Sequence, residues 1–387
     1  MYLIWNPLFV IVIVGICIIT FFAGIIAEKG LDVSRQFLVV YVVFAFMPLV
    51  VYKYWNFISL VIRDISFNRI NIPGLNWAIP VGISFYTFQS VGYVFDVMRG
   101  KIKAEKNLLD YSLFVSFFPQ IMCGPISKGE ELIPQLKNPG KFDVALASSG
   151  FHLLIWGMFM KFVVADKLGL LVDTIYSNPV NYSGANVLSA TVLYSFQIYG
   201  DFAGYSFMAV GISGLLGIKL INNFKRPYLA LTVTDFWKRW HISLTRWLKE
   251  NIYISLGGNR RGEIRTYFNI LLTFLVSGIW HGAAWTFVIW GALHGLVQCV
   301  EKKYRISKVT DVSVVKRTGM TFCCFVLVSF LWVLFRAPSL SDAFAIYERI
   351  FCSFGKLNMS FIGTDYIYSV FLVLPIVFFK DLYDEFV

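Results

Sequence analysis

The chain has 387 residues, of which 57% are hydrophobic, 18% aromatic and only 15% charged. A mean hydropathy of +0.67 exceeds what a water-soluble core of this size requires, which excludes a soluble domain and predicts an integral membrane protein with several spans. The net charge of +11 raises nucleic acid as a ligand, but the basic residues fall in loops between apolar runs, as the positive-inside bias predicts. The expected partner is therefore the lipid bilayer, with no nucleic acid.

The first apolar run, Asn6 to Ala27, holds 22 uncharged residues and is closed by Glu28 and Lys29. It lacks a basic n-region and a small-residue cleavage site, so it reads as a retained span and not a signal peptide. Further runs lie at about 36–52, 78–95, 108–127, 151–172, 187–218, 266–300, 318–335 and 366–379. Because an unbroken crossing needs about 20 residues, roughly eight to ten membrane segments are expected. The six cysteines lie mostly within apolar runs and form no C-x-x-C pair, so neither a disulfide framework nor a metal site is predicted.

Segment 107–127, "NLLDYSLFVSFFPQIMCGPIS", is interrupted by Pro119 and Pro125 and flanked by Lys and Arg on both sides. It is expected to dip in and return or to break within the membrane, which is tolerated only where protein or a cavity shelters the backbone. Asp201 is the only charge between Val187 and Ile218. It reads either as a buried polar partner for a cation or amide, or as part of a substrate path.

Segment 219–265 carries ten Lys and Arg against three acidic residues and is the expected cytoplasmic arm. Within it, "TDFWKRWHISLTRWLKEN" places Trp237, Trp240, His241, Leu244, Trp247 and Leu248 on one helical face and the charges on the other. An interfacial amphipathic helix capped by Thr234 or Asp235 is predicted, with His241 on its apolar face. "LGGNRRG" (256–262) lacks the G-K-[ST] of a P-loop. It reads as a surface turn or as a flexible cationic loop, in which Arg260 and Arg261 could meet a phosphorylated donor.

The uncharged run Thr266–Val300 would extend about 50 Å as one helix, too long for a single span. Basic flanks on both sides imply an even number of crossings, so a helix pair or broken hairpin is expected, with Gly278, Gly282, Ala283 and Ala284 at the turn. His281 then sits at depth beside the break. Ionisable groups inside a membrane are functional candidates by default. Of the four histidines, His152 opens a span and reads as structural, and His294 as a helix-packing hydrogen-bonder. His241 and His281 stand in Trp-rich settings beside backbone irregularities and are the candidates for a neutral imidazole acting as general base. A proton-coupled transporter could use the same two histidines with Asp201.

Four blocks taken together resemble the membrane-bound O-acyltransferases, most closely the bacterial alginate O-acetylation branch. They are "FFPQIMCGPISKGEELIPQL" (117–136), "YGDFAGYSFMAVGISGLLGI" (199–218), "FWKRWHISLTRWLKENIYISLGGNRRG" (236–262) and "SGIWHGAAWTFVIWGALHGL" (277–296). The resemblance implies one all-α multi-span transmembrane domain over 1–387, with broken or re-entrant helices, interfacial amphipathic helices and the cytoplasmic arm at 219–265. It implies location in the bacterial inner membrane and catalytic roles for His281, in W-H-G, and His241, in R-W-H. No resident cofactor or metal is expected. The donor would be a cytoplasmic thioester, acetyl-CoA or an acyl carrier protein, with Arg260, Arg261 and Trp240 as donor-binding candidates. The acceptor would be a hydroxyl of an extracytoplasmic polysaccharide, or a separate extracytoplasmic acetyltransferase. D-alanylation of teichoic acid from a carrier protein is the nearer alternative, although "GGNRRG" favours the acetylating branch. Members of the family usually begin about one hairpin earlier and continue beyond "KDLYDEFV", so the chain reads as a short member or one trimmed at its ends.

Overall fold

The structure, a computed structural model, describes residues 6–29, 31–138, 140–306, 313–357 and 372–386, with the backbone alone for 31–38. Among the described residues the regular structure is all helical, without strands. The chain divides into two compact units, one of residues 1–152 and 209–221, the other of 153–208 and 222–387.

In the first unit, α1 (Pro7–Glu28) starts where expected: Asn6 Oδ1 accepts from the Leu8 amide at 3.0 Å and Pro7 occupies the first turn. Next, α2 (Leu31–Leu49) runs through a π-helical turn (Val50–Tyr54) into α3 (Trp55–Ile65). Pro48 lies two residues before that irregularity, and its ring removes an amide from the ladder there. Against α1 lies α4 (Ile83–Met98), with the Tyr93 ring over Gly24.

The interrupted segment breaks as predicted. α5 (Leu108–Val115) is only eight residues long and gives way to turns through Pro119. The non-helical backbone is sheltered by buried amides. Gln89 Nε2 donates to the Phe114 carbonyl at 2.6 Å, and Gln89 Oε1 accepts from Gln120 Nε2 at 2.8 Å and from the Ser127 amide at 3.3 Å. Each polar atom so satisfied removes a cost that bare burial would impose. α6 (Gly129–Lys137) follows, and Gln135 of α6 bonds both backbone groups of Lys219.

α7 (Val144–Met158) and α9 (Gly184–Leu215) each contribute residues to both units, and α8 (Asp166–Tyr176) lies between them in sequence. The second unit continues with α10 (Val233–Arg239), α11 (Ile242–Leu248), α12 (Glu263–His281), α13 (Trp285–Lys303), α14 (Val314–Arg336), α15 (Leu340–Cys352) and α16 (Leu374–Phe386). Its core is aromatic, with Phe236, Trp240, Trp290 and Trp332 fully buried together. Glu385 on α16 gathers three guanidiniums, with Arg226 at 2.9 Å, Arg239 at 3.0 Å and Arg317 at 3.4 Å.

Among the described residues, three helices are long and apolar enough to cross a membrane: Pro7–Glu28, Val39–Ile65 and Val314–Arg336. The first and third match predicted runs, and the second extends beyond the predicted 36–52. Fewer helices meet that test than the eight to ten segments expected: the 108–127 run is divided at α5, and α9, α12 and α13 are long enough but are diluted by Gly, Ser, Thr, Trp, Tyr and His. Residues 366–371 of the predicted 366–379 run lie outside the described residues, and the rest of it is described, largely as the start of α16.

The predicted hairpin in 266–300 is present, with α12 and α13 joined by residues 282–284. Its crossing is built on glycine. A Cβ on Gly291 would stand 2.3 Å from the Phe274 carbonyl oxygen, and one on Gly278 would stand 2.2 Å from that of Phe287. Gly278 thus serves the crossing and not the turn, allowing the backbones an approach that any side chain would prevent.

Candidate active site

His281 is the last residue of α12, immediately before the turn. Gly282 leaves the helix in an extended conformation, φ −160° and ψ 155°, and its absent Cβ leaves room for the Phe287 ring, which would otherwise lie 2.1 Å away. The His281 ring is enclosed by Trp280, Trp290 and Phe335, with centroids at 4.8, 5.2 and 5.2 Å. The imidazole expected at a helix break is therefore there, inside an aromatic cage.

His241 arrives by a different route, and here the expectation of one continuous amphipathic helix is corrected. The helix stops at Arg239 and restarts at Ile242. Trp240 is extended, and His241 has φ +46° and ψ 53°, a left-handed conformation costing a non-glycine residue roughly 1–2 kcal/mol. Backbone from residues 223–225 makes the break possible: the Lys225 amide donates to the Arg239 carbonyl at 2.9 Å, and the Ile242 amide to the Asn223 carbonyl at 2.9 Å. The first half is capped by Thr232, whose hydroxyl accepts from the Asp235 amide at 3.0 Å, and not by Thr234 or Asp235.

The kink turns the His241 side chain into the interior, where it is fully buried. Its ring lies 6.4 Å from that of His281, centroid to centroid, with Phe202 at 4.6 Å and Trp280 at 5.7 Å. Asn223 Oδ1 accepts from the Ser243 amide at 2.9 Å, which identifies that atom as oxygen, and it stands 3.3 Å from His241 Nδ1. Nδ1 therefore carries the proton and donates, which makes Nε2 the basic nitrogen of the ring. His294 has the opposite arrangement. Trp237 Nε1 can only donate, and it does so to His294 Nδ1 at 3.2 Å, so the His294 proton sits on Nε2. His294 is the packing hydrogen-bonder expected of it, and its partner is a wall of the cavity described next.

A cavity of about 330 Å³ lies between the α10–α11 arm and the α12–α13 hairpin. It is lined by Trp237, Leu248, Tyr253, Phe274 and Ser277, among others, and carries Lys238, Lys249 and Lys302. Ser277 is one helical turn before His281. The arm is fixed to the hairpin by Glu301, a buried carboxylate of α13. Its two oxygens accept from the Val233 and Thr234 amides, at 2.6 and 2.8 Å, at the start of α10. Negative charge at a helix N-terminus is favourable both for the open amides and for the helix dipole.

The remaining sequence candidates fall elsewhere. Trp240 is buried in the aromatic core against Phe224, Phe236 and Trp332 and does not line the cavity between arm and hairpin, whereas Trp237 does. Arg260 and Arg261 are exposed on the turn before α12 and do not line the cavity. Asp201 pairs with Lys161 Nζ, which lies 2.5 Å from Asp201 and 2.8 Å from Asp166. The Asp201 side chain is nevertheless 46% exposed, so the pair is not buried. His152 bonds the Ser148 carbonyl one turn back, in keeping with a structural role. Asn223 and Glu301 carried no sequence signal, since each acts on residues remote in the chain. Among the described residues no cluster of metal-ligating side chains is present.

The sequence profile of the membrane-bound O-acyltransferase family matches residues 101–335. The chain is 36% identical over 361 residues to the probable alginate O-acetylase AlgI of Pseudomonas aeruginosa, spanning 92% of this chain and 68% of that protein. To the peptidoglycan O-acetyltransferase of Helicobacter pylori it is 33% identical, over 90% of this chain and 71% of the relative. To the teichoic acid D-alanyltransferase of Bacillus subtilis it is 28% identical, over 66% and 65%. The chain thus spans about two thirds of the length of these relatives. It belongs to the membrane-bound O-acyltransferase family, as a multi-pass protein of the inner membrane whose reaction class is O-acyl transfer. The transporter reading is set aside.

Proposed function

We propose that this membrane O-acyltransferase takes an acetyl group from a cytoplasmic thioester and delivers it to a hydroxyl of an extracytoplasmic polysaccharide, or to a partner acetyltransferase. The observation that carries this reading is the pair of histidine rings 6.4 Å apart, borne by the same arm and hairpin whose other residues line a lysine-bearing cavity. The O-acetylating relatives are more similar than the D-alanylating one, which favours acetyl over D-alanyl.

In this reading the thioester arm enters between Trp237 and Ser277, and the cations of the 219–265 arm, Arg260 and Arg261 among them, draw its phosphates. His281 takes the acceptor hydroxyl proton as the oxygen attacks the thioester carbonyl carbon. As the tetrahedral intermediate collapses the C–S bond breaks, and the imidazolium returns its proton to the departing thiolate. His241 orients the thioester and stabilises developing charge from the kink. A base of this kind contributes about 10²–10⁴-fold to rate.

The test is thiol release from acetyl-CoA by purified protein in detergent, beside His281→Ala. Release by the wild type and none by a folded variant is the expected result. Undiminished release by the variant would place the base elsewhere. No release from either protein, together with acyl transfer from a carrier-protein thioester, would replace the CoA donor by a carrier.

A further inference from the structure

A second cavity, of about 370 Å³, is lined entirely by charged residues: Lys225, Arg226, Asp235, Lys238, Arg239 and Glu385. Four cations face two carboxylates, and both carboxylates are already engaged. Asp235 accepts from Arg239 Nε at 3.1 Å and from the Leu231 amide at 3.2 Å. Glu385 accepts from Arg239 and lies 2.9 Å from Arg226 Nε. Lys225 and Lys238 are exposed and have no carboxylate partner among the described residues. The arginines are thus locked in orientation by the acids, and two ammonium groups remain for an anion that need break no existing ion pair.

The walls are fixed as well. The Lys225 amide is bonded to the Arg239 carbonyl, so the two segments that carry the four cations are tied together. Lys238 also lines the cavity beside Trp237 and Ser277. An anion held on Lys225 and Lys238 therefore adjoins, through Lys238, the space in which a thioester arm would lie.

We infer that this cavity binds the phosphate groups at the far end of the thioester donor, with Lys225 and Lys238 as the ammonium ligands and Arg226 and Arg239 behind them. The inference rests on the donor being a thioester, as proposed above, and identifies the donor class as a phosphate-bearing one. A free nucleotide thioester and a carrier-bound phosphopantetheine share that chemistry. The geometry differs from steering by Arg260 and Arg261, which are exposed on a loop and line neither cavity.

The experiment is equilibrium binding of CoA, which cannot be turned over, to the full chain in detergent at low and at physiological salt. Wild type is compared with Lys225→Ala/Lys238→Ala and with Lys167→Ala/Lys356→Ala, which removes the same charge from exposed positions outside the cavity. Loss of two exposed charge contacts is expected to weaken binding about tenfold in the first pair, with a reduced salt dependence, and by less than about threefold in the second. Equal affinity in the first pair and the wild type would overturn the site. If CoA does not bind the wild type, the same comparison is made with a phosphopantetheinylated carrier protein, and lack of lysine dependence there would overturn it too. Lysine-dependent binding without any acyl transfer would uphold the site and count against the transfer reaction instead.

Discussion

The rings of His241 and His281 stand 6.4 Å apart with their planes at 62°, although 40 residues separate them in the chain. One is the last residue of a helix and the other occupies a kink between two helices. Residues that act as a unit give non-additive losses. His241→Ala is expected to lower thiol release by about 10²-fold or more, and the His241→Ala/His281→Ala double variant to be little worse than His281→Ala alone. Asn223→Ala, which removes the acceptor facing His241 Nδ1 and the Ser243 amide, is expected to lose about tenfold while His281 is untouched. Multiplicative losses in the double variant would show two independent sites.

How much of this was legible in sequence depended on whether the signal was local. The hairpin of α12 and α13 was readable because an uncharged run too long for one span must fold back. His281 could be placed beside the break on the same ground. The kink at His241 was not readable. Trp237, Trp240, His241 and Leu244 keep a helical period straight across it, and what breaks the helix is backbone from Asn223 and Lys225 supplying alternative partners. The cap on α10 was invisible for the same reason, since Glu301 lies 68 residues from the amide it satisfies. Trp237 and Trp240 share an apolar helical face, which does not say that the first meets a cavity and the second the core.

Glu301 connects the arm to the hairpin through two short hydrogen bonds from α10 amides. Glu301→Ala leaves both amides buried without an acceptor, at a cost of about 1.5–3 kcal/mol. Glu301→Gln keeps one acceptor oxygen and should recover part of this. Because Trp237 is carried on α10, the alanine variant should also raise the KM for acetyl-CoA. Thermal unfolding and thiol release on the two variants check this, and an alanine variant as stable as the wild type would show that the cap contributes nothing.

Gly291 lies where α12 and α13 touch backbone to backbone. Gly291→Ala sets a methyl 2.3 Å from the Phe274 carbonyl oxygen, and no flexible side chain is available to give way. The helices must separate, with a cost of about 1–3 kcal/mol or more, and His281 and Trp290 shift with them. A lowered melting temperature accompanied by reduced thiol release is expected. In contrast, Gly319→Ala on α14, where a Cβ meets nothing within 4 Å, should be neutral. A Gly291→Ala protein as stable as Gly319→Ala would mean that the crossing is looser than its geometry implies.

Asp381 stands at the charged end of α16, beyond the apolar run, and accepts from the Tyr199 hydroxyl at 3.3 Å. Burial pushes its carboxyl up to about 7, against the Tyr199 hydrogen bond and the nearby Lys380 and Arg226, which favour the charged form. An unfolded aspartate titrates near about 3.9. Between those two values the folded state holds more protons than the unfolded state, so stability falls as pH rises from about 4 to about 7 and levels off above that. The melting temperature of the wild type in detergent should therefore drop across this window. Asp381→Asn, which cannot ionise, should show a flatter profile and be at least as stable as the wild type at pH 8. Because other groups titrate in the same range, the difference between the two profiles is the quantity to read. A variant with an unchanged slope would show that Asp381 is ionised in the folded protein throughout.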